Sequence, residues 1–540
     1  MISGAQAMVQ CLKEQGVPVV FGYPGATIAP FYDKLLGSGI RHVLTRTEQG
    51  AGHAASGYAR LSGSPGVCIS TSGPGATNLF TAIATAYSDS IPLVAITGQV
   101  ATWQLGRDVF QEVDTTGAVE PFTKYTYLVK SADDIGRVFR EAFHIASTGR
   151  KGPVLIDVPV DVQQAMTEFV YPESVSIRGY KPRTQGHPLQ VRKVAEAIRT
   201  AQRPLICGGG GIFLSEAQEL VGRLCEQTGI PVVSTLMGVG LMPQEHPLYF
   251  GMLGQSGTKT ANTAIRESDL LILVGARVGD RAITRPDKLQ SHATIVHIDI
   301  DSAEIGKNVG TTIPLVGDVT QVVEQLLALE PVSDCKPWQE RLGEMKKQES
   351  EARQSRPAPK SGVEPSAFVR ALCKKLPENA VYVADVGQNQ IWSAKNFCGS
   401  GRFLTTGGMG TMGYSIPAAL GAKLAAFDRM TIAVCGDGSF QMSMNELATM
   451  CQHDIPIKVI ILRNGKLGMV REIQSRAYGG REIAVELSGS PDFGKIAEAY
   501  GIAHASVERP EELEAALEQM LQNDSAFLLE CAVDPEEGTA

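Results

Sequence analysis

Short apolar runs alternate with segments of helical spacing along nearly the whole chain. Over residues 1–163 the runs are VPVVFG, IRHVLTR, GVCIST, PLVAIT and PVLIDV; over 191–330 they are PLICGGGGI, PVVST, LLILVGARV and TIVHIDID. Residues 364–540 open with a helix and a strand and continue through Thr431–Cys435 and Pro456–Leu462. Runs that are apolar at successive rather than alternate positions predict parallel strands buried on both faces. Strands separated by helices predict three doubly wound parallel-sheet α/β domains. The pattern lapses at 164–190, rich in proline and polar residues, and at 331–363, charged and proline-bearing; both read as linkers, the second containing a helix with a solvated face.

The ends of these runs carry the candidate chemistry. The apolar run from Thr431 meets two glycines flanking Asp437, where backbone can approach a ligand closely. A helix pattern (Met444, Leu447, Ala448, Cys451) and a second strand lead to Asn464, 27 positions after Asp437. A carboxylate and an amide oxygen at adjacent strand ends are hard ligands. With a backbone carbonyl and two phosphate oxygens they supply five of the six positions of the octahedron Mg²⁺ requires, the phosphates bringing the remaining charge. In the first domain GYPGA (Gly22–Ala26) and TSGPGATN (Thr71–Asn78) are sharp strand-to-helix turns. Glu48 falls between a strand end and a helix pattern over Gln49–Leu61, the usual crevice for ligands in open α/β sheets; position alone reads equally as an acidic helix cap. GRDVFQEVDTTG (Gly106–Gly117) reads as a loop, and Gly208–Gly211 as a glycine-rich loop that is not GxGxxG.

Composition narrows the class. With 540 residues, 43% hydrophobic and 20% charged, the chain is that of a soluble multidomain enzyme. A net charge of −8 argues against nucleic acid or an anionic membrane surface as partner. Ten cysteines without CxxC, several inside strand-like runs, read as reduced core residues of a cytoplasmic protein. The amino-terminal segment lacks a signal peptide's apolar centre, and no window reaches the ~18–20 apolar residues of a membrane span.

GDGS followed by helix, strand and Asn464 resembles the binding motif of thiamine diphosphate (ThDP) enzymes. EQGAGHAASGYAR resembles the segment of the same enzymes that carries the activating glutamate, while LGMVRE beyond Asn464, and FQEVD and LGQSGTKTANTAI earlier, resemble the acetohydroxyacid (acetolactate) synthase family. The resemblance implies amino-terminal pyrimidine-binding, central FAD-type and carboxyl-terminal diphosphate-binding domains. It makes Glu48 the activating acid bonded to the cofactor's pyrimidine ring nitrogen. Phe110, Gln111 and Arg277 would line the active site. ThDP contacts would come from Pro24, Gly25, Pro74, Asn78, Gly387, Gln388, Asn389, Gly410, Met412, Gly436, Asp437, Gly438, Ser439, Asn464, Lys466, Leu467, Gly468 and Met469. Mg²⁺ would be held by Asp437, Asn464 and the Lys466 carbonyl. Structural FAD would rest on Arg150, Gly208, Gly209, Gly210, Thr235, Leu236, Met237, Gly254, Ser256, Gly275, Ala276, Arg277, Arg281, Asp299, Ile300 and Asp318.

Some positions depart from the family. Thr47, Asn389 and Ser256 stand where it usually has histidine; Asn389 keeps a donor for the diphosphate but carries no charge. Val160 replaces the lysine of a PKD triplet. VREIQ stands where VRQWQ is usual, placing Ile473 at a tryptophan that favours 2-ketobutyrate, and the tail VDPEEGTA is short. The implied activity is decarboxylation of pyruvate followed by condensation with a second 2-keto acid, pyruvate favoured and 2-ketobutyrate possible, in branched-chain amino acid biosynthesis. A homodimer or homotetramer with active sites between subunits is implied, with a possible small regulatory subunit. Another ThDP-dependent 2-keto acid decarboxylase, carboligase or pyruvate oxidase is the competing enzyme reading, and a non-catalytic scaffold the competing reading from another class.

Overall fold

The computed structural model describes residues 1–355 and 359–539; residues 356–358 of the expected second linker, and the last residue of the chain, lie outside the described residues. Three six-stranded parallel sheets carry the architecture. The first uses Val19–Gly22, Arg41–Leu44, Gly66–Ser70, Leu93–Gln99, Tyr125–Leu128 and Pro153–Pro159. In space these run second, first, third, fourth, sixth, fifth. The last sheet uses Val381–Ala384, Arg402–Leu404, Thr431–Gly436, Lys458–Arg463, Ala503–Val507 and Phe527–Ala532 and repeats that order. The middle sheet, from Pro204–Gly208 to Ile313–Val316, instead runs third, second, first, fourth, fifth, sixth, the order of dinucleotide-binding folds.

The apolar runs become central strands because helices cover both faces: Val19 and Phe21 point into one core, Val20 into the other. Strands without such runs, including Tyr125–Leu128 and Ile313–Val316, lie at sheet edges where one side stays partly exposed. The segment expected as the second linker contains the helix Lys336–Gln354, which buries Trp338 and Leu342 in the middle-domain core. In the first, Met166–Thr167 pairs antiparallel with Ile2–Ser3.

One apolar core spans the first and last domains, joining Phe21 and Cys68 to Val383 and Cys435. At its centre the helices Glu48–Ser62 and Ser415–Ala425 cross. Both are buried nearly all round, which explains why small residues replace an amphipathic stripe. A Cβ on Gly57 would fall on the carbonyl oxygen of Ala418, and one on Gly421 on that of Ala54, so each helix supplies a glycine where the other's backbone passes. Gly421→Ala is therefore expected to destabilise the protein by roughly 1–3 kcal/mol through forced separation of the helices. Thermal unfolding checks this, and an unchanged melting temperature would refute the backbone contact.

Candidate active site

The first and third strands of the first sheet are neighbours, so the chain leaves them on opposite sides and a crevice opens at their carboxyl ends. The two glycine turns meet there: Thr27 Oγ1 lies 2.9 Å from Thr71 Oγ1 and accepts from Ser72 N at 3.0 Å, and a Cβ on Gly25 would collide with Thr71. Pro24 is exposed at the lip. Glu48 is the first residue of its helix, capped by Thr47 Oγ1 accepting from Gly50 N at 2.9 Å. Asn78 Nδ2, from the helix that begins at Pro74, donates to Glu48 Oε2 at 3.0 Å. The crevice thus gathers Pro24, Gly25, Glu48, Pro74 and Asn78.

The loop expected over this crevice is a loop up to Asp114, and a helix begins at Thr115. Glu112 gathers the N–H groups of Gly106, Arg107 and Val109. Gln111, at φ +60°, packs beside Gly73, while Phe110 is 87% exposed. Beneath the loop Gln99 Nε2 donates to Val113 O and to Asp157 Oδ2, each at 2.9 Å, and Thr97 Oγ1 donates to Asp157 Oδ1 at 2.6 Å.

The last domain repeats the crevice between Val381–Ala384 and Thr431–Gly436. Asp437 starts a helix there and is buried. Its carboxylate accepts from Gly438 N (2.9 Å) and Gly465 N (2.7 Å), and no cationic side chain among the described residues pairs with it. Burial raises its carboxyl above the usual range while those N–H groups oppose the rise. Asn464 stands beside it, its Oδ1 accepting from Lys466 N at 3.0 Å. A buried carboxylate answered only by backbone dipoles, next to an amide oxygen, is a donor set that fits a hard divalent cation sharing phosphate oxygens. Gly436 and Ser439 cap the turn between them: Gly436 N donates to Ser439 Oγ at 3.1 Å. Leu467 N bonds Val485 O at 2.8 Å, and Gly468 and Met469 begin the next helix. Met412 Cε lies 3.7 Å from where a Cβ on Gly438 would sit, so the two loops touch. Gly387 (φ +130°) and Gly410 (φ +69°) hold conformations that favour glycine.

Sequence reasoning overlooked the anchors of the loop carrying Gly410 and Met412. Asp385, fully buried, accepts from Gly413 N (2.9 Å) and Ser415 N (2.7 Å). Asp89 of the first domain, paired with Arg60 at 3.1 Å, accepts from Gly408 N at 2.8 Å, and Thr85 Oγ1 lies 2.7 Å from Thr411 Oγ1. Glu446 was likewise overlooked; from the last domain it accepts from Arg46 N (3.0 Å) and Thr47 N (3.2 Å) just ahead of Glu48. The contacts of Asp89, Thr85 and Glu446 across the two domains join residues more than 300 positions apart, those of Asp385 residues 28 and 30 apart, and no local pattern signals them. Asn389 corrects an expectation: its Nδ2 donates to Asp385 O (2.9 Å) and Val434 O (3.1 Å), so both protons tie the two strand ends together and none points to a diphosphate.

In the middle domain the residues expected around a flavin follow the carboxyl ends of successive strands. Gly208, Gly209 and Gly210 close the first strand; Thr235, Leu236 and Met237 follow the second, and Gly254 and Ser256 the third. Gly275, Ala276 and Arg277 follow the fourth, Asp299 and Ile300 close the fifth, and Asp318 caps the helix after the sixth. A Cβ on Gly209 would collide with Gly275 O, so backbone meets backbone at the switch point. Arg281 O accepts from Gln255 N at 2.9 Å. Arg150 bridges from the first domain, pairing with Glu304 at 2.8 Å and Asp301 at 3.2 Å, and Arg277 donates to Ser88 O. Burial lifts Asp299 to about 6. No helix among the described residues is long and apolar enough to cross a membrane.

Comparison with known proteins agrees with this geometry. Family models for the thiamine pyrophosphate enzyme match in three parts: the N-terminal TPP-binding domain over 2–118, the central domain over 191–326 and the C-terminal TPP-binding domain over 385–531. Fold and site together define a thiamine pyrophosphate enzyme. A probable acetolactate synthase large subunit of Methanocaldococcus jannaschii is 46% identical over 99% of this chain and 93% of its own length. The acetolactate synthase large subunit of Mycobacterium tuberculosis is 45% identical (96% and 86%), and the isozyme 3 large subunit of Escherichia coli 40% (99% and 96%). The chain belongs to the acetolactate synthase large-subunit family.

Asp157, beneath the loop that carries Phe110 and Gln111, gives the first domain a pH dependence. Burial lifts its carboxyl from 3.8 to about 7, although Thr97 and Gln99 favour the charged form. Between those values the folded chain keeps a proton that the unfolded chain has lost. The contribution to stability is complete below about pH 4 and is lost as pH rises through about 7. Asp157→Asn should flatten this decline, so denaturant midpoints between about pH 5 and about pH 8 should fall less than in the wild type. Equal slopes would contradict the assignment.

Proposed function

We propose that this chain is the catalytic subunit of an acetolactate synthase, taking pyruvate as donor and favouring pyruvate over 2-ketobutyrate as acceptor in branched-chain amino acid biosynthesis. The observation that carries the reading is the pair of matching crevices: Glu48 with Asn78 at the switch point of the first sheet, Asp437 with Asn464 at that of the last. The names of the relatives, at 40–46% identity, support the particular reaction.

Thiamine diphosphate, when bound, supplies the electron sink that lets a 2-keto acid lose carbon dioxide and pass its remaining two carbons to a second keto acid. Asp437, Asn464 and the Lys466 carbonyl would hold Mg²⁺ against the diphosphate. Gly410 and Met412 would support the pyrimidine, and Glu48 would hold and return the proton at its ring nitrogen. Asn78, bonded to Glu48, fixes that carboxylate's direction. Arg277 would draw the carboxylate of the second keto acid, with Phe110 and Gln111 closing over it. Ile473, 48% exposed, leaves the acceptor pocket without the indole that would select for a longer chain.

The exposed apolar side chains beside the crevices, Phe110, Met409, Met442 and Ile473, support a second copy of the chain covering them, with each site shared between subunits. The large-subunit name of the relatives supports a small regulatory partner. The middle sheet's order and its glycine-lined switch point support FAD as a structural cofactor, and ten free cysteines suit the reducing cytoplasm.

Product analysis with pyruvate, thiamine diphosphate and Mg²⁺ tests the reading: acetolactate is expected, and acetaldehyde or acetyl phosphate as the main product would overturn it. In the same assay Glu48→Gln should retain cofactor binding and slow turnover at least ~100-fold; full activity would remove the proton relay. Purified protein should show flavin absorbance, and a colourless preparation that stays colourless with added FAD would reject the flavin.

A further inference from the structure

The segment 536–539 lies against the cofactor crevice, and Glu472 is the knot that holds it there. Glu472, on the helix Gly468–Ala477, is only 6% exposed. Its Oε1 accepts from Gln388 Nε2 at 2.6 Å and from Thr539 N at 2.9 Å; its Oε2 accepts from Thr539 Oγ1 at 3.1 Å and Arg476 at 2.9 Å. Every partner of this buried carboxylate is a donor, so both of its oxygens serve as acceptors. A glutamine there would turn an N–H₂ group toward donors and leave Arg476 without its counter-ion.

The tail is fastened on both sides of this knot. Gln388 Nε2 also donates to Glu537 O (2.9 Å), Trp392 Nε1 to Gly538 O (2.9 Å) and Lys395 Nζ to Thr539 O (3.0 Å). Glu536 pairs with Arg471 at 2.7 Å and with Lys466 at 3.4 Å.

From Gln388 the connection continues to Asn464. With its N–H₂ group committed to Glu472 and the tail, Gln388 presents Oε1, which accepts from Asn464 Nδ2 at 3.0 Å. The amide of Asn464 is thereby oriented: its nitrogen is taken and its oxygen is left on the side of Asp437 and the Gly465–Lys466 backbone. Mg²⁺ accepts the oxygen of an amide and not the nitrogen, so this choice decides whether Asn464 can be a ligand at all. The packing leaves little freedom, because a Cβ on Gly468 would land on Gln388 Oε1 and would come within 2.8 Å of Asn464 Nδ2.

We propose that Glu472, Gln388 and the segment 536–539 form a positioning brace that sets the Asn464 amide for metal binding, so that this segment controls how tightly Mg²⁺ and its diphosphate are held. The proposal rests on the Mg-diphosphate reading of the last domain. It assigns Glu472 no contact with substrate or cofactor.

The test is calorimetric titration of Mg²⁺ into the full oligomer at saturating thiamine diphosphate. It compares wild type, Glu472→Gln, a chain ending at Pro535, and both changes together. Each single change should raise the Mg²⁺ dissociation constant roughly tenfold, as loss of a group supporting a metal ligand does. The combined change should add little, since both break one network. Activity should show the same split, with the Mg²⁺ needed for half-activation rising more than saturated turnover falls. Thr539→Ala, which removes a single hydroxyl, should shift the constant in the same direction if the shortened chain fails to fold. Unchanged Mg²⁺ affinity in the variants, or single effects that multiply in combination, would overturn the brace. A wild type that binds no Mg²⁺-diphosphate would instead overturn the reading beneath it.

Discussion

The structure depends on two helices of small residues touching at their backbones. Glu48–Ser62 and Ser415–Ala425 bring the first and last domains together at Gly57 and Gly421, and the apolar core around them belongs to neither domain alone. Close-packed interiors transmit displacement because they have no slack. The start of the first helix, where Glu48 sits, and the strand ends feeding Asp437 are therefore parts of one body. Side-chain links across the same boundary restrict it further. Glu446 caps the backbone ahead of Glu48 from the opposite domain, and the Arg60–Asp89 pair holds Gly408. Each is buried, where an unmet donor or acceptor would cost about 1–3 kcal/mol, so the links act as geometric constraints more than as sources of stability.

This arrangement explains what could be read from the sequence. Central strands were legible because a strand covered on both faces must be apolar at every position, as in PLVAIT and LLILV. Edge strands such as Tyr125–Leu128 carry mixed polarity and gave no such signal. The turns at Gly25 and Gly73 were legible because close approach or a left-handed backbone needs glycine, which stands out in a short window. The buried acids that hold the site together were not. Asp89, Asp385 and Glu446 find partners through folding, across as many as 400 positions for Glu446 and Arg46, and a lone acid in a sequence looks the same whether it caps a distant helix or faces water. Asn389 shows the limit from the other side: its type allowed a donor for phosphate, but the adjoining carbonyls of Asp385 and Val434 claim both protons.

Glu472 and Ile473 show how the site divides its tasks. Successive helical positions point about 100° apart, so one turns inward to a closed set of hydrogen bonds while its neighbour stands 48% exposed at the rim. The floor of the crevice is built from the buried Asp437, Gln388 and Glu472 and the half-buried Asn464, polar groups whose protein partners are already assigned. The rim, with Phe110, Met409, Met442 and Ile473, consists of apolar side chains in search of cover, and its shape depends on what closes over it. On the proposed reading, retention of the cofactor belongs to the floor and discrimination among keto acids to the rim. On that reading a change at Ile473 would alter the pocket's shape without touching a ligand to the metal, whereas a change one residue earlier would disturb the hydrogen bonds that reach Asn464 through Gln388 and leave the pocket's surface as it is.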